Sequence, residues 1–146
     1  MKIRLATPGE TEALAAISAQ EPDSWTAEGF AGTLKTETAR VWVAEESGVI
    51  CAYAVIYFDS DGAELVQIAV GRNARRRGIA SQLLAAVLLF LEEQRVPQIV
   101  LEVRAGNKPA RAFYIKHGFE EIFIQRNFYR DPPDDAVRMI KVMTEK

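Results

Sequence analysis

Val70-Gly71-Arg72-Asn73-Ala74-Arg75-Arg76-Arg77-Gly78-Ile79-Ala80 is the most chemically loaded stretch of the chain. It leaves a strand, turns, and enters the longest helix. The first turn of a helix has N–H groups without intrahelical acceptors and a partial positive charge. Gly78 and Ala80 leave that backbone uncovered, and three consecutive arginines add charge beside it. The combination suits a pyrophosphate; the bland reading is a solvated basic turn that caps a helix. Neither a Walker lysine motif nor a GxGxxG is present, so nucleotide triphosphates and dinucleotides fit poorly.

Working outward, Ile79, Leu83, Leu84, Val87, Leu88 and Leu91 recur at helical spacing and predict a helix over Ile79–Gln94. Upstream, β-rich runs Val41–Glu45, Val49–Phe58 and Glu64–Val70 are separated by turn signals and predict an antiparallel meander. Ile3–Leu5 reads as a short first strand. Thr7-Pro8-Gly9-Glu10 combines an N-cap, a proline at the first helical position and a capping-box glutamate, and Asp23-Ser24-Trp25-Thr26 opens a second helix of about ten residues. Downstream, Gln98–Val103 is an apolar strand and Asn107–His117 a short helix ended by Gly118. Glu121–Gln125 and Val137–Val142 are two last strands, expected to be joined by a long loop containing Asp131-Pro132-Pro133-Asp134-Asp135. The expectation is an α/β (α+β) domain over 1–146, with about seven mostly antiparallel strands in one mixed sheet flanked by about four helices.

The 146 residues fit one domain of common size. With 18 basic against 20 acidic side chains the formal charge is -2, so no direct nucleic-acid binding is expected. The basic residues instead gather at Arg72, Arg75, Arg76 and Arg77, as for one anionic ligand. A single cysteine, Cys51, excludes an intrachain disulfide, and with His117 as the one histidine a usual transition-metal cluster is not expected. Cys51 lies in an apolar strand and reads as an inert thiol. The N-terminus lacks a secretory apolar stretch and Leu83–Leu91 is too short to span a bilayer, so a cytoplasmic location without membrane contact is the default.

Two side chains stand out as acid–base candidates. Glu102 interrupts the apolar strand Leu101-Glu102-Val103-Arg104, where a carboxylate is expected to be partly desolvated and suited to general-base work; it could equally pair with Arg104 on a solvated face. Tyr114 shares a helix face with Ala110, Phe113 and His117, a pattern that serves core packing as well as chemistry.

Arg75-Arg76-Arg77-Gly78-Ile79-Ala80 resembles the GNAT superfamily pattern of Gln or Arg, two residues, Gly, any residue, then Gly or Ala. Ala112-Phe113-Tyr114-Ile115-Lys116-His117-Gly118-Phe119 resembles a second segment of that superfamily, and Arg126-Asn127-Phe128-Tyr129 with the downstream acidic-alanine turn is similar to the signature of the RimI-type N-terminal acetyltransferases. The likeness runs from about Ala63 to Met143. Gly71-Arg72 replaces the usual Asp-Pro, and Phe128 replaces a tyrosine.

The resemblance implies an N-acetyltransferase that uses acetyl-CoA and no metal. Arg75, Arg76, Arg77, Gly78, Ile79, Ala80 and Ser81 would hold the pyrophosphate. Backbone groups of Ile68, Ala69 and Val70, with Asn107, would hold the pantetheine arm. Glu102 would be the general base, Tyr114 the acid near the CoA sulfur, and an N–H such as that of Val70 the oxyanion donor. Trp25, Asn127 and Tyr129 would line the acceptor cleft, although Trp25 and Tyr129 could also staple loops to the core. Asp131, Asp134 and Asp135 could attract a basic peptide or simply solvate the loop. The expected acceptor is a protein or peptide N-terminus, such as that of a ribosomal protein. A small-molecule amine acetyltransferase and a non-catalytic acetyl-CoA-binding regulatory module are the alternatives, and oligomeric state stays open.

Overall fold

Alternating apolar residues send Val41 and Val43 to one face of a sheet and Trp42 and Ala44 to the other, and both faces are covered. In the computed structural model, which describes residues 1–143, the sheet has seven strands in the order β1-β2-β3-β4-β5-β7-β6. Strands β1 (Lys2–Leu5), β2 (Ala39–Glu46), β3 (Val49–Phe58) and β4 (Ala63–Val70) pair antiparallel, as the predicted meander requires. The β2–β3 turn puts Ser47 at φ 53° and Gly48 at φ 80°, the two positive dihedrals of a tight type I′ hairpin. Strand β5 (Gln98–Arg104) runs parallel to β4, and β7 (Pro133–Val142) lies antiparallel between β5 and β6 (Glu120–Arg130).

Helices α1 (Thr11–Ser18) and α2 (Ala27–Leu34) cover one face, where Leu14, Ile17 and Phe30 meet Val43, Tyr53 and Val55. Helix α3 (Ile79–Glu93) covers the other with Leu83, Leu84, Val87 and Leu91, and α4 (Lys108–Lys116) extends that layer with Tyr114. Strand β3 is buried on both sides, which explains its unbroken apolar run. No helix of the described residues is long and apolar enough to cross a membrane.

Two local devices position the site. Strand β4 carries one extra residue, since Ile56 pairs with Leu65 while Val55 pairs with Gln67; this is a β-bulge at Val66. Strands β4 and β5 pair at Ala63↔Ile99 and Glu64↔Val100 and share no further rung among the described residues. Past the bulge they part, leaving the edges of Leu65–Val70 and Leu101–Arg104 unpaired across a cleft. The second device is the end of α4. Gly118, at φ 96°, sends its N–H to Ile115 O at 3.0 Å, and Phe119 N–H reaches Tyr114 O at 3.0 Å, a Schellman ending. Phe119 then packs on the Tyr114 ring at 5.5 Å and fixes it.

The chain departs from expectation in two places. Pro8–Glu10 forms a 3-10 turn and the α-helix starts at Thr11, although Thr7 N–H does donate to Glu10 Oε1 at 2.8 Å, as half of a capping box does. The expected long loop before the last strand is instead a tight hairpin, with β6 running to Arg130 and β7 starting at Pro133. The carboxylates of Asp134 and Asp135 make this possible by accepting from Gly106 N–H at 3.0 Å and Asn127 N–H at 2.8 Å. Asp134 thus ties the start of β7 to the residues that follow β5, and Asp135 ties it to β6.

Candidate active site

The cleft between the parting strands has two halves that meet at Ile68, Ala110 and Tyr114. One half is rimmed by Val70, Arg75, Arg76, Gly78, Ile79, Ala80 and Ser81, the other by Trp25, Glu102, Arg104, Asn107, Phe128 and Tyr129.

Backbone alternation decides which amides the first half presents. Gly71 N–H donates to Cys51 O on β3 at 2.8 Å, so Ala69, two residues back, also turns its main-chain groups to β3. Val70 must then face away from β3. Its carbonyl does so, accepting from Arg75 Nε at 3.0 Å, and its N–H points the same way into the cleft. Of the strand residues named from sequence, Ile68 and Val70 therefore line the cleft and Ala69 does not. At Gly71, which stands in place of Asp-Pro, a Cβ would lie 3.3 Å from Cys51 O, a tight contact that a larger residue meets only if that carbonyl gives by a few tenths of an ångström.

The helix entry is open. The first intrahelical bond is Gln82 N–H to Gly78 O, which leaves the N–H groups of Ile79, Ala80 and Ser81 without helix acceptors. Gly78 has φ 76°, a left-handed conformation, and a Cβ there would meet nothing within 4 Å. The three arginines are not equivalent. Arg75 Nη2 donates to Glu21 at 2.7 Å and Arg77 Nη2 to Glu46 Oε1 at 2.6 Å. Arg76, at φ 66°, has no partner among the described residues, so it alone keeps its whole guanidinium for an anion. Ser81 Oγ meets His117 Nε2 at 3.1 Å, and burial, with Lys116 and Lys141, holds that imidazole below its usual pKa. No Cys–His contact forms among the described residues. The Cys51 thiol contacts Ala44 O at 3.5 Å, and burial pushes its pKa up.

Glu102 and Tyr114 arrive from different elements. On β5, Leu101 and Val103 face the α3 layer, so Glu102 points to the opposite side. Its Oε2 accepts from Arg138 Nη1 at 2.8 Å, and its side chain is 21% exposed. The partner is Arg138, directly opposite on β7, and not Arg104. Tyr114 is 7% exposed, and Phe113 and Phe119 pack edge-on to its ring. Its hydroxyl makes no hydrogen bond among the described residues, yet no unpartnered side-chain polar atom is sealed from solvent. The ring is thus buried while the oxygen opens into the cleft, and burial pushes the phenol well above its ordinary pKa.

On the second half, Asn107 Oδ1 caps α4 by accepting from Ala110 N–H at 3.2 Å. Trp25 packs on Phe30 at 5.3 Å, and its backbone N–H donates to Ser18 Oγ at 2.8 Å. Tyr129 lies under Arg104, and burial first, then Asp23 and Glu102, push its phenol up to about 12. Asn127 is not brought to the cleft: it takes φ 56° at a bulge of β6, and Phe128 lines the cleft beside Tyr129.

Residues 10–119, more than half of the chain, match the acetyltransferase (GNAT) family. The chain belongs to that family. It is an acetyl-CoA-dependent N-acetyltransferase. It is 38% identical over 96 residues to the ribosomal protein bS18-alanine N-acetyltransferase of Escherichia coli, spanning 64% of this chain and 65% of that one. It is 31% identical over 126 residues to an N-alpha-acetyltransferase of Sulfurisphaera tokodaii, spanning 77% and 75%. The crystal structure of the ribosomal-protein-S18-alanine N-acetyltransferase from Escherichia coli superposes with a TM-score of 0.92 at 29% identity, covering 99% of this chain and 95% of that one.

The residues present suit the cosubstrate of a GNAT enzyme. Free amides at a helix entry with no Cβ over Gly78 fit a diphosphate, and outward N–H and C=O groups of β4 fit an amide-bearing arm. Sequence reasoning missed Arg138, Gln67 and the anchoring roles of Arg75 and Arg104. A charged residue between Val137 and Met139 was a visible signal for Arg138, but only strand register pairs it with Glu102.

Proposed function

We propose that this N-acetyltransferase acts on the N-terminal α-amine of a protein, with a ribosomal protein the first candidate, by direct transfer from acetyl-CoA. The bound thioester supplies an activated acetyl group. Glu102 takes the proton that the amine loses as the C–N bond forms, with a water between them if needed. Tyr114 gives its proton to the departing thiolate as the C–S bond breaks. Val70 N–H supports the carbonyl oxygen as negative charge gathers there.

The observation that carries this reading is the Tyr114 hydroxyl, without a hydrogen-bond partner among the described residues, on a buried ring at the junction of the two half-clefts. A phenol held protonated by burial is a suitable donor at neutral pH. The names of the Escherichia coli and Sulfurisphaera relatives support a protein N-terminus as acceptor.

A mass-spectrometric screen of N-terminal peptides with isotopically labelled acetyl-CoA tests it. Label on the α-amine of Ala- or Met-starting peptides is expected. Label on no such peptide would overturn the peptide reading, and turnover confined to polyamines or amino acids would replace it with a small-molecule acceptor.

A further inference from the structure

We propose that Arg104 is the positioning residue of the acceptor half-cleft: one guanidinium clasps its two walls and so sets how an amine is presented to Glu102. The walls come from distant parts of the chain, the α1–α2 connection and the β6–β7 hairpin. Arg104, at the end of β5, spans them. Its Nε and Nη2 fork onto Asp23 Oδ2 and Oδ1, each at 2.9 Å, and Nη1 donates to Pro132 O at 2.6 Å. The guanidinium also lies 4.3 Å from the centroid of the Tyr129 ring.

Each contact has a distinct effect. The fork fixes direction as well as distance, which a single point charge does not. The cation over its face holds the Tyr129 ring against the clasp. Asp23 is gripped a second time, since Gln67 Nε2 donates to its carbonyl at 3.2 Å while Tyr53 Oη–H donates to Gln67 Oε1 at 2.7 Å. The Asp23 backbone is thus tied to the bulged strand that presents Val70, and its carboxylate to the strand that carries Glu102. The Arg104 side chain is only 11% exposed while the Asp23 carboxylate is 52% exposed, so the fork meets water on the Asp23 side and its effect is to set direction more than to add stability.

A residue that places the walls should act on acceptor binding and leave proton transfer alone. The probe is an alanine-starting hexapeptide, and the kinetic arm rests on the peptide reading above. For Arg104→Met and the milder Asp23→Asn, KM for the hexapeptide is expected to rise by about tenfold or more, kcat to hold within about threefold, and calorimetric binding of coenzyme A to be unchanged. Arg104→Lys should recover melting temperature but not KM, because an ammonium neither forks nor stacks as the guanidinium does. Amide hydrogen exchange across residues 21–25 and 129–133 should speed up in Arg104→Met, a readout that needs no acceptor. An unchanged KM, a loss shared by kcat and coenzyme A binding, or unaltered exchange in those segments overturns the proposal. If the unmodified enzyme turns over no peptide at all, the peptide reading falls, and the exchange result alone decides the clasp.

Discussion

Glu102 and Arg138 face each other directly across the β5–β7 ladder, joined by a 2.8 Å bond from Arg138 Nη1 to Glu102 Oε2. With one carboxylate oxygen held, the other is left for the substrate side of the cleft. Glu102→Gln keeps the shape and removes the base, and kcat should fall by about 10²–10⁴. Arg138→Met keeps the base but frees its orientation, so a smaller loss of about tenfold in kcat is expected. Thiol release from acetyl-CoA at saturating peptide measures both. Near-normal kcat in Glu102→Gln at neutral pH would remove the base assignment.

Tyr114→Phe removes one oxygen from a ring whose packing comes from Phe113 and Phe119, so folding should survive. The expected loss in kcat is again about 10²–10⁴. The pH dependence has a definite sign. Burial raises the folded phenol above its ordinary value of 10.0, so the protonated donor persists through the neutral and mildly alkaline range. In the native enzyme kcat should show no phenol-linked fall below pH 10. A fall centred lower that vanishes in Tyr114→Phe would show a phenol not shielded by burial. The same shift enters stability: its contribution is complete below the unfolded phenol's pKa and is lost as pH climbs through the folded one.

Much of this architecture was readable before any coordinates, and the reasons are local. The apolar spacing from Ile79 to Leu91, the double-sided apolar run of β3 and the glycine after His117 each act within one element. The failures were relations between elements. Arg75 and Arg77 read as two-thirds of an anion site, and spacing alone does not display that each also pairs with a glutamate from a distant segment. Asn127 shared a motif with Tyr129, but a bulge in β6 separated their directions. The hairpin after β6 read as a loop because Pro132-Pro133 and three aspartates look like breakers. What kept the strands going was carboxylate acceptance from Gly106 and Asn127, which sequence spacing does not display.

Away from the cleft, Glu10 anchors the start of the chain. Arg4 Nη2 donates to its Oε2 at 2.6 Å and Thr7 N–H to its Oε1 at 2.8 Å, and these bonds, Arg4 first, lower its pKa from 4.5 to about 2. A depressed carboxylate stabilises the fold above its unfolded pKa and loses that contribution as pH falls toward the folded value. Thermal melts should therefore show a decline between about pH 4.5 and pH 2 that is shallower in Glu10→Gln. At neutral pH the variant should melt lower than the parent. Parallel pH curves for the two proteins would show that Glu10 carries no such linkage.

Gly78 and Gly48 allow backbone strain to be separated from ligand access. Both are left-handed, at φ 76° and φ 80°, and in both a Cβ would meet nothing within 4 Å. Alanine at either should cost about 1–2 kcal/mol through backbone strain alone. Gly48 sits in the β2–β3 turn, whereas Gly78 precedes the open amides of α3 on the cleft rim. Both variants should therefore melt a few degrees lower, by similar amounts. Only Gly78→Ala should weaken calorimetric binding of coenzyme A, by about tenfold or more, because only there does a methyl group stand where a diphosphate must approach the backbone. Equal affinity in the two variants would mean that the helix entry is not the anion site.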